Sequence, residues 1–467
     1  MRLFSQITIY TMKLIIYLFL LLPWFAASQK EDSLFIKKIA DEVMVNGQAY
    51  NNLRYLTKNI GGRLTASPQA YRAEAWGANV MKQSGADKVT LQQCKVPHWL
   101  RGGKDKAMVT AVGGRKVRWV LDVAALGNSL GSGAKGVTAP IMAVQSYEEL
   151  DARKNEAKGK IVFYNFPFNE KYIQPMYAYG ESGKYRYSGA GRAAKYGAVA
   201  VMVRSLSQST DNNPHTGAMR YNDSFPKIPA VAIGLRNADS LYSLCRQNKQ
   251  VVAQVFSYGY FRSDTIAQNV IGELKGSEFP DEIITVGGHL DSWDLAEGAH
   301  DDGAGVVHTI EVLRALKALG YQPKHTIRFV LFANEENGLR GGEMYAMQAK
   351  DNNEKHLFAL ESDEGGFTPR GFSFTADSNK LAKLKGWSYL FEPYFGSTFT
   401  EGGGGADIGS LRKNANVTIA GFVPDGQRYF DYHHARSDVF ENVNKRELLL
   451  GAVNITALIY LVDKYGL

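Results

Sequence analysis

The spacing of apolar residues changes along this chain, and the expected elements follow from it. Leu34, Ile36, Ile39, Val43, Tyr50, Leu53 and Leu56 recur at roughly helical spacing between Ser33 and Asn59. After a break at Gly61-Gly62 and Pro68, a second helical segment runs from Ala70 to Lys82; Gly85 ends it, and Val89 to Val96 reads as a strand. From about Ala107 to Tyr260 the texture is different. Short β-rich runs (Trp119 to Ala124, Pro140 to Val144, Lys160 to Tyr164, Val199 to Val203, Ile228 to Ile233) alternate there with Gly-rich turns and short helical stretches.

From Ala267 the alternation becomes regular. Strands are expected at Ile283 to His289, Thr326 to Ala333, Leu357 to Glu361 and Val417 to Val423, with helices after Asp302, near Gly341 to Ala349, and from Lys445 to Lys464. This predicts an α/β fold with a mixed central sheet and helices on both faces. A second, mixed β-rich unit interrupts it, leaving and re-entering at neighbouring points. The expected boundaries are 29–110 and 262–467 for the main unit and 111–261 for the insert.

The amino terminus adds a targeting signal. Lys13, the apolar run Leu14 to Phe25 and the small residues Ala26-Ala27-Ser28 have the order of a secretory signal peptide, expected at 1–28, with Met12 as an alternative start. The apolar run is short for a membrane span, so the mature protein is expected outside the cell or in a periplasm, without a stable span. A 45% hydrophobic, 21% charged composition over 467 residues is globular, and the net charge of +8 is spread without a basic run, which argues against nucleic acid as a partner. Cys94 and Cys245 lie far apart and read as free thiols.

Chemistry gathers where the regular strands end. Ile283 to His289 runs into His289 and Asp291, two residues apart and so on one side of an extended chain. The loop Gly298-Ala-His-Asp-Asp-Gly-Ala-Gly305 then presents Asp301 and Asp302 ahead of a helix, as at the carboxyl edge of an α/β sheet. Three more runs stop at polar residues: the strand before Glu335-Glu336, the strand before Asp363, and Tyr432-His-His-Ala-Arg-Ser-Asp438. Together His289, Asp301, Glu336, Asp363 and His434 satisfy a two-metal site. Nitrogen and oxygen donors without cysteine suit zinc, and three carboxylates with one hydroxide would balance two divalent cations.

In this order, GGHLDSWD, GAHDDGAG, NEENGLRGG, ESDEGG and YHHARSD resemble the motifs of the di-zinc exopeptidase family of secreted aminopeptidases. With Ile60-Gly-Gly-Arg-Leu-Thr-Ala-Ser67 and the insert, nearly the whole chain is similar to the plasma glutamate carboxypeptidase group of that family. The piece from Gly197 to Val203, then Pro214-His-Thr-Gly217 and Lys227 to Ile233, resembles a protease-associated domain.

The family resemblance implies one zinc on His289 and Asp363, a second on Glu336 and His434, and Asp301 bridging both. It further implies Glu335 as general base, Asp291 orienting the imidazole of His289, and an unusual peptide bond between Asp301 and Asp302. Asp438, four residues on, selects His434 over His433, and His433 falls where some relatives carry an oxyanion-binding Tyr. His300 reads as a plain loop histidine, and His308 and His325 as structural or surface residues.

Substrate contacts are less clearly written. Asp407 or Glu401, in the Gly-rich run Thr400 to Asp407, could bind a substrate amine, and Arg340 or Arg436 a substrate carboxylate. The expected activity is hydrolysis of dipeptides or of the amino-terminal residues of short peptides, with a catalytically dead receptor-like scaffold and a single-zinc glutaminyl cyclase as rivals. The insert is expected to shape the pocket rim or to mediate a homodimer.

Overall fold

The computed structural model describes residues 30–247 and 249–467; the expected signal segment 1–28 lies outside them. After the amino-terminal helices, β1 (Lys88–Leu100) opens a first sheet. The chain then builds a second sheet from β2 (Lys106–Val112), β3 (Arg115–Leu121), β4 (Val123–Ala125), β5 (Val137–Val144), β6 (Ile161–Tyr164), β7 (Ala200–Arg204), β8 (Ala230–Ile233) and β9 (Val251–Phe256). It returns to the first with β10 (Tyr260–Leu274), β11 (Phe279–His289), β12 (His325–Phe332), β13 (Lys355–Glu361), β14 (Pro369–Thr375), β15 (Thr398–Glu401) and β16 (Thr418–Pro424).

The first sheet has the order β1-β10-β12-β11-β13-β16-β14-β15. Its centre, β12-β11-β13-β16, is parallel throughout, so four strands end together on one edge. Parallel strands need cover on both faces, and the side-chain alternation shows it. Ile327, Phe329 and Leu331 of β12 join the core under helices Ala304–Ala318 and Lys445–Tyr465. Val330 and Phe332 face the opposite layer, with Tyr345, Ala346, Ile408 and Leu411 from helices Arg340–Asp351 and Ala406–Ala415. Lys445–Tyr465 is long and apolar enough to cross a membrane, but 83% of its apolar window is buried, which makes it a core helix here.

The second sheet, β3-β2-β9-β5-β6-β7-β8-β4, is likewise mixed and has apolar layers on both faces. Val162 and Tyr164 pack towards helix Pro175–Lys195, whereas Ile161 and Phe163 pack towards helix Leu235–Arg246. Its strands begin at Lys106, before the expected position 111, because the chain leaves β1 through Gly102-Gly103; a Cβ on Gly102, at φ 75°, would lie 2.3 Å from the Tyr258 carbonyl oxygen. Leu100 of β1 pairs directly with Tyr260 of β10, so the excursion starts and finishes on adjacent strands.

Two other expectations are modified. The segment 33–59 is not one helix: helix 30–46 stops at Gly47, and Gln48 donates its backbone N–H to Glu311 Oε2 (2.9 Å) before Ala49–Tyr55 resumes. Where only short helical stretches are expected, Pro175–Lys195 is continuous; its buried positions include Ala178, Ser182, Gly189, Ala190 and Ala193, which give no large-apolar period. Cys94 and Cys245 are both free, the first buried and the second half-buried.

Candidate active site

The parallel edge gathers all five of the expected ligands. His289 is the last residue of β11. Its backbone N–H donates to Asp302 Oδ2 (3.0 Å), and its Nδ1–H donates to the Asp291 carbonyl (3.0 Å). That leaves the Nε2 lone pair facing Asp363 Oδ1 at 3.1 Å and Asp301 Oδ1 at 3.3 Å. His434 repeats the arrangement, with Nδ1 3.3 Å from the Thr216 carbonyl and Nε2 3.2 Å from Asp301 Oδ2 and 3.1 Å from Glu336 Oε2. Each oxygen of Asp301 therefore reaches a different imidazole.

Two lone pairs facing carboxylate oxygens at these distances require positive charge between them. Protons could supply it at the imidazoles: although burial opposes it, Asp363 and Asp301 hold His289 well above the usual histidine range. Protonation of the imidazoles would still leave Glu336 Oε1 buried without a hydrogen-bond partner. Burial, then the neighbouring Asp301 charge, also pushes Glu336 up to about 7. Metal cations satisfy the imidazoles, the carboxylates between them and the orphaned Glu336 oxygen together, so the donor set fits a metal centre. Asp301 and Asp302 are joined by a cis peptide bond.

The supporting residues explain why the loops hold this shape. Arg63, completely buried, donates Nε–H to the Leu290 carbonyl, Nη1 to the Glu297 carbonyl (2.7 Å) and Nη2 to the Gly298 carbonyl (3.0 Å). It ties the end of β11 to the loop carrying Asp301. Asp438 accepts the backbone N–H groups of His300 (2.7 Å) and Asp301 (3.1 Å). His300 is no plain loop histidine: it is fully buried, stacked on Phe367 at 4.2 Å, with Nε2 3.2 Å from the Asn442 carbonyl. His308 and His325 are buried and satisfied, by Ser362 and the Leu448 carbonyl and by Asp463 respectively.

Asp291 acts differently from the expectation. Its backbone carbonyl, rather than its carboxylate, holds His289; the carboxylate Oδ1 is 3.8 Å from that ring. The carboxylate instead accepts from Thr65 Oγ1 (2.8 Å) and from the Glu335 backbone N–H (3.0 Å), and so orients the Glu335 turn. β12 ends at Phe332, Asn334 takes a left-handed conformation (φ 66°), and one short turn follows. The neighbouring acids diverge there: Glu336 is buried against His434, while Glu335 is one-fifth exposed (20%) with Oε2 4.0 Å from His289 Nε2. Burial, then the charges of Asp363, Glu336 and Asp291, push the Glu335 carboxyl well above its ordinary range, although His289 opposes them.

A cavity of about 840 Å³ opens above this edge, lined by Glu335, Asp363 and His433 from the main unit and by Arg186, Met219 and Arg220 from the insert. His433 stacks on His434 at 3.6 Å, with Nε2 3.7 Å from Asp301 Oδ2, so it overlies the centre. Two expected substrate contacts lie elsewhere. Asp407 is 1% exposed and outside the cavity lining, its backbone N–H towards Glu361, because it begins a helix packed under the sheet edge. Arg436 is exposed and lines a different hollow with Arg101 and Lys104, since the chain turns away after His434. Glu401 is also exposed, on β15.

Arg340 does line the cavity, but it is paired with Glu343 at 2.8 Å. The arginines overlooked by sequence are Arg186 and Arg220. Among the described residues neither pairs with a carboxylate; Arg186 donates to Tyr179 Oη (2.6 Å) and lies 3.4 Å from His434 Nδ1. No local pattern marks them, since they approach the site only through the packing of the insert.

Comparison with known proteins agrees with this geometry. Residues 269–459 match the Peptidase family M28 pattern. The chain is similar to carboxypeptidase Q of Mus musculus, 32% identical over 418 residues that cover 90% of this chain and 85% of that protein. It superposes on the solved peptidase M28 precursor from Shewanella amazonensis with a TM-score of 0.87 at 32% identity, covering 93% of this chain and 97% of that one. A zinc aminopeptidase from Bacillus subtilis shares the fold, with a TM-score of 0.64 at 21% identity over 90% of this chain and 96% of its own.

Proposed function

The chain belongs to peptidase family M28, and from that premise we propose that it is a secreted or periplasmic exopeptidase holding two zinc ions and splitting dipeptides or short peptides. One ion is assigned to His289 and Asp363, the other to Glu336 and His434, with Asp301 shared. The observation that carries this reading is the way the two oxygens of Asp301 face two imidazole nitrogens whose opposite nitrogens are already bound to carbonyls. The second sheet and its helices are read as an inserted protease-associated domain, supported by the direct pairing of Leu100 with Tyr260.

When bound, the zinc ions supply polarisation of the peptide carbonyl and a lowered pKa for water. The chain supplies the proton handling. Glu335, exposed to the cavity beside the ligands and fixed through its backbone by Asp291, accepts the proton of the attacking water and returns it to the departing amine. His433 overlies Asp301 and donates to the oxygen of the tetrahedral species. Arg186 and Arg220 are cations without carboxylate partners in the same cavity, and they favour a substrate whose free carboxylate lies near the scissile bond. A dipeptide meets that requirement.

Two measurements test the reading. Metal analysis should find close to two zinc ions per chain; about one would favour an aminoacyl cyclase, and none with full folding a scaffold. A panel of dipeptides, amino-terminal amides and amino-blocked peptides should show dipeptides turned over fastest, and activity confined to blocked peptides with a free carboxylate would overturn the preference. Within that panel, Arg220→Met is expected to raise KM for dipeptides about 10-fold, the effect of losing a charge-assisted hydrogen bond, while amides lacking the carboxylate are unaffected. An equal loss on both substrate types would remove Arg220 from carboxylate recognition.

A further inference from the structure

The two halves of the metal centre are held by different parts of the molecule. His289 is oriented wholly from within the first sheet and its loops, by Asp302 on its backbone and the Asp291 carbonyl on Nδ1. His434 is oriented by the insert. The Thr216 backbone N–H donates to the His434 carbonyl (2.9 Å), and the Thr216 carbonyl stands 3.3 Å from His434 Nδ1. One residue earlier, buried His215 has Nδ1 2.7 Å from the His433 carbonyl, and Ser207 Oγ donates to the Phe430 carbonyl.

The insert's side of this contact is itself firmly anchored. His215 N–H donates to Ser205 Oγ (2.9 Å), which donates to the Ile233 carbonyl (2.8 Å) at the end of β8; Thr216 Oγ1 donates to the Ala125 carbonyl (2.8 Å) at the end of β4. At Gly217, φ is 128°, and an added Cβ would lie 2.6 Å from both His434 Nδ1 and the Arg186 guanidinium. The segment 215–217 therefore presses on the metal-facing histidine with no room to spare. His434 itself has a left-handed backbone (φ 61°), which a residue with a Cβ keeps only when its surroundings hold it there.

We propose that the insert's segment His215-Thr216-Gly217 is a positioning element for one of the two ions only, so that the ion on His434 and Glu336 is held tightly just as long as the insert is docked, while the ion on His289 and Asp363 is independent of it. This rests on the two-zinc reading above. A carbonyl that receives the far N–H of a ligating imidazole fixes its tautomer and direction, and loss of such a partner typically weakens metal affinity by about 10- to 100-fold. The insert thereby makes the two ions unequal in lability.

The test is a chelator titration of the purified holoprotein, following zinc per chain and, after cobalt substitution, the visible spectrum. The wild type is expected to release its ions in two steps. His215→Ala and Gly217→Ala should shift one step at least 10-fold towards release and leave the other in place. His215→Asn, which restores an N–H donor to the His433 carbonyl, should bring the shifted step back. Circular dichroism monitors folding, and should Gly217→Ala fail to fold, the two His215 variants decide. Wild-type release midpoints in both alanine variants, or parallel weakening of both steps, would overturn the proposal while leaving the two-zinc reading intact; a wild type carrying fewer than two zinc ions would overturn both.

Discussion

Asp301→Ala is expected to reduce kcat/KM at least about 1000-fold and to leave less than one zinc ion per chain. The reason is geometric: Asp301 sends one oxygen towards His289 and the other towards His434, at 3.3 and 3.2 Å, so a single substitution removes a donor from both ions. Loss of a group that merely supports a ligand costs about 10- to 100-fold, and a donor shared by both ions should cost more. Steady-state kinetics with metal analysis of the same sample decide the matter. A variant that keeps two zinc ions and a tenth of the activity would show that Asp301 does not bridge.

Glu335→Gln should separate metal binding from catalysis. Glu335 lies beside the ligand set with Oε2 4.0 Å from His289 Nε2, whereas its neighbour Glu336 is buried against His434. The amide keeps the shape and removes the proton acceptor. The expected result is two retained zinc ions, little change in KM, and kcat lowered at least about 100-fold, the contribution of a positioned proton shuttle. Near-normal turnover would sink the base assignment. Loss of metal instead would mean that Glu335, and not only Glu336, is a ligand.

The clustering of three of the five candidate ligands was legible in sequence because His289, Glu336 and Asp363 lie where apolar runs end, and in a parallel sheet such endings share one edge. His289 ends β11, Glu336 and Asp363 lie within four residues of the ends of β12 and β13, and the two-residue spacing of His289 and Asp291 survives as the contact between Nδ1 and the Asp291 carbonyl. Direction was harder to foresee. Asp407 sits in a Gly-rich run that looks like a pocket loop, but it starts a helix packed beneath the sheet edge; Arg436 is two residues from His434 on a chain that has already turned outward.

What the sequence concealed depends on contacts across long separations. Arg63, Thr65, Arg186, His215 and Thr216 reach the centre from distant segments, and three of them come from a unit with its own cores. The run Ile60 to Ser67 and the tetrapeptide Pro214 to Gly217 stand out as polar and glycine-containing, but nothing local says what they touch. Likewise, helix Pro175–Lys195 buries small residues, so apolar spacing gave little sign of its length.

The direct pairing of Leu100 with Tyr260 also bears on how the chain assembles. β1 and β10 meet only after everything from residue 101 to 259 has been gathered into a short span. For an unstructured loop of that length, closing the ends carries an entropic penalty before the first pair forms, and contacts so distant in sequence slow folding. Prior collapse of the insert brings Leu100 and Tyr260 to neighbouring positions and removes most of that search. An insert that condenses first would leave the β1-β10 ladder to zip afterwards across a short gap.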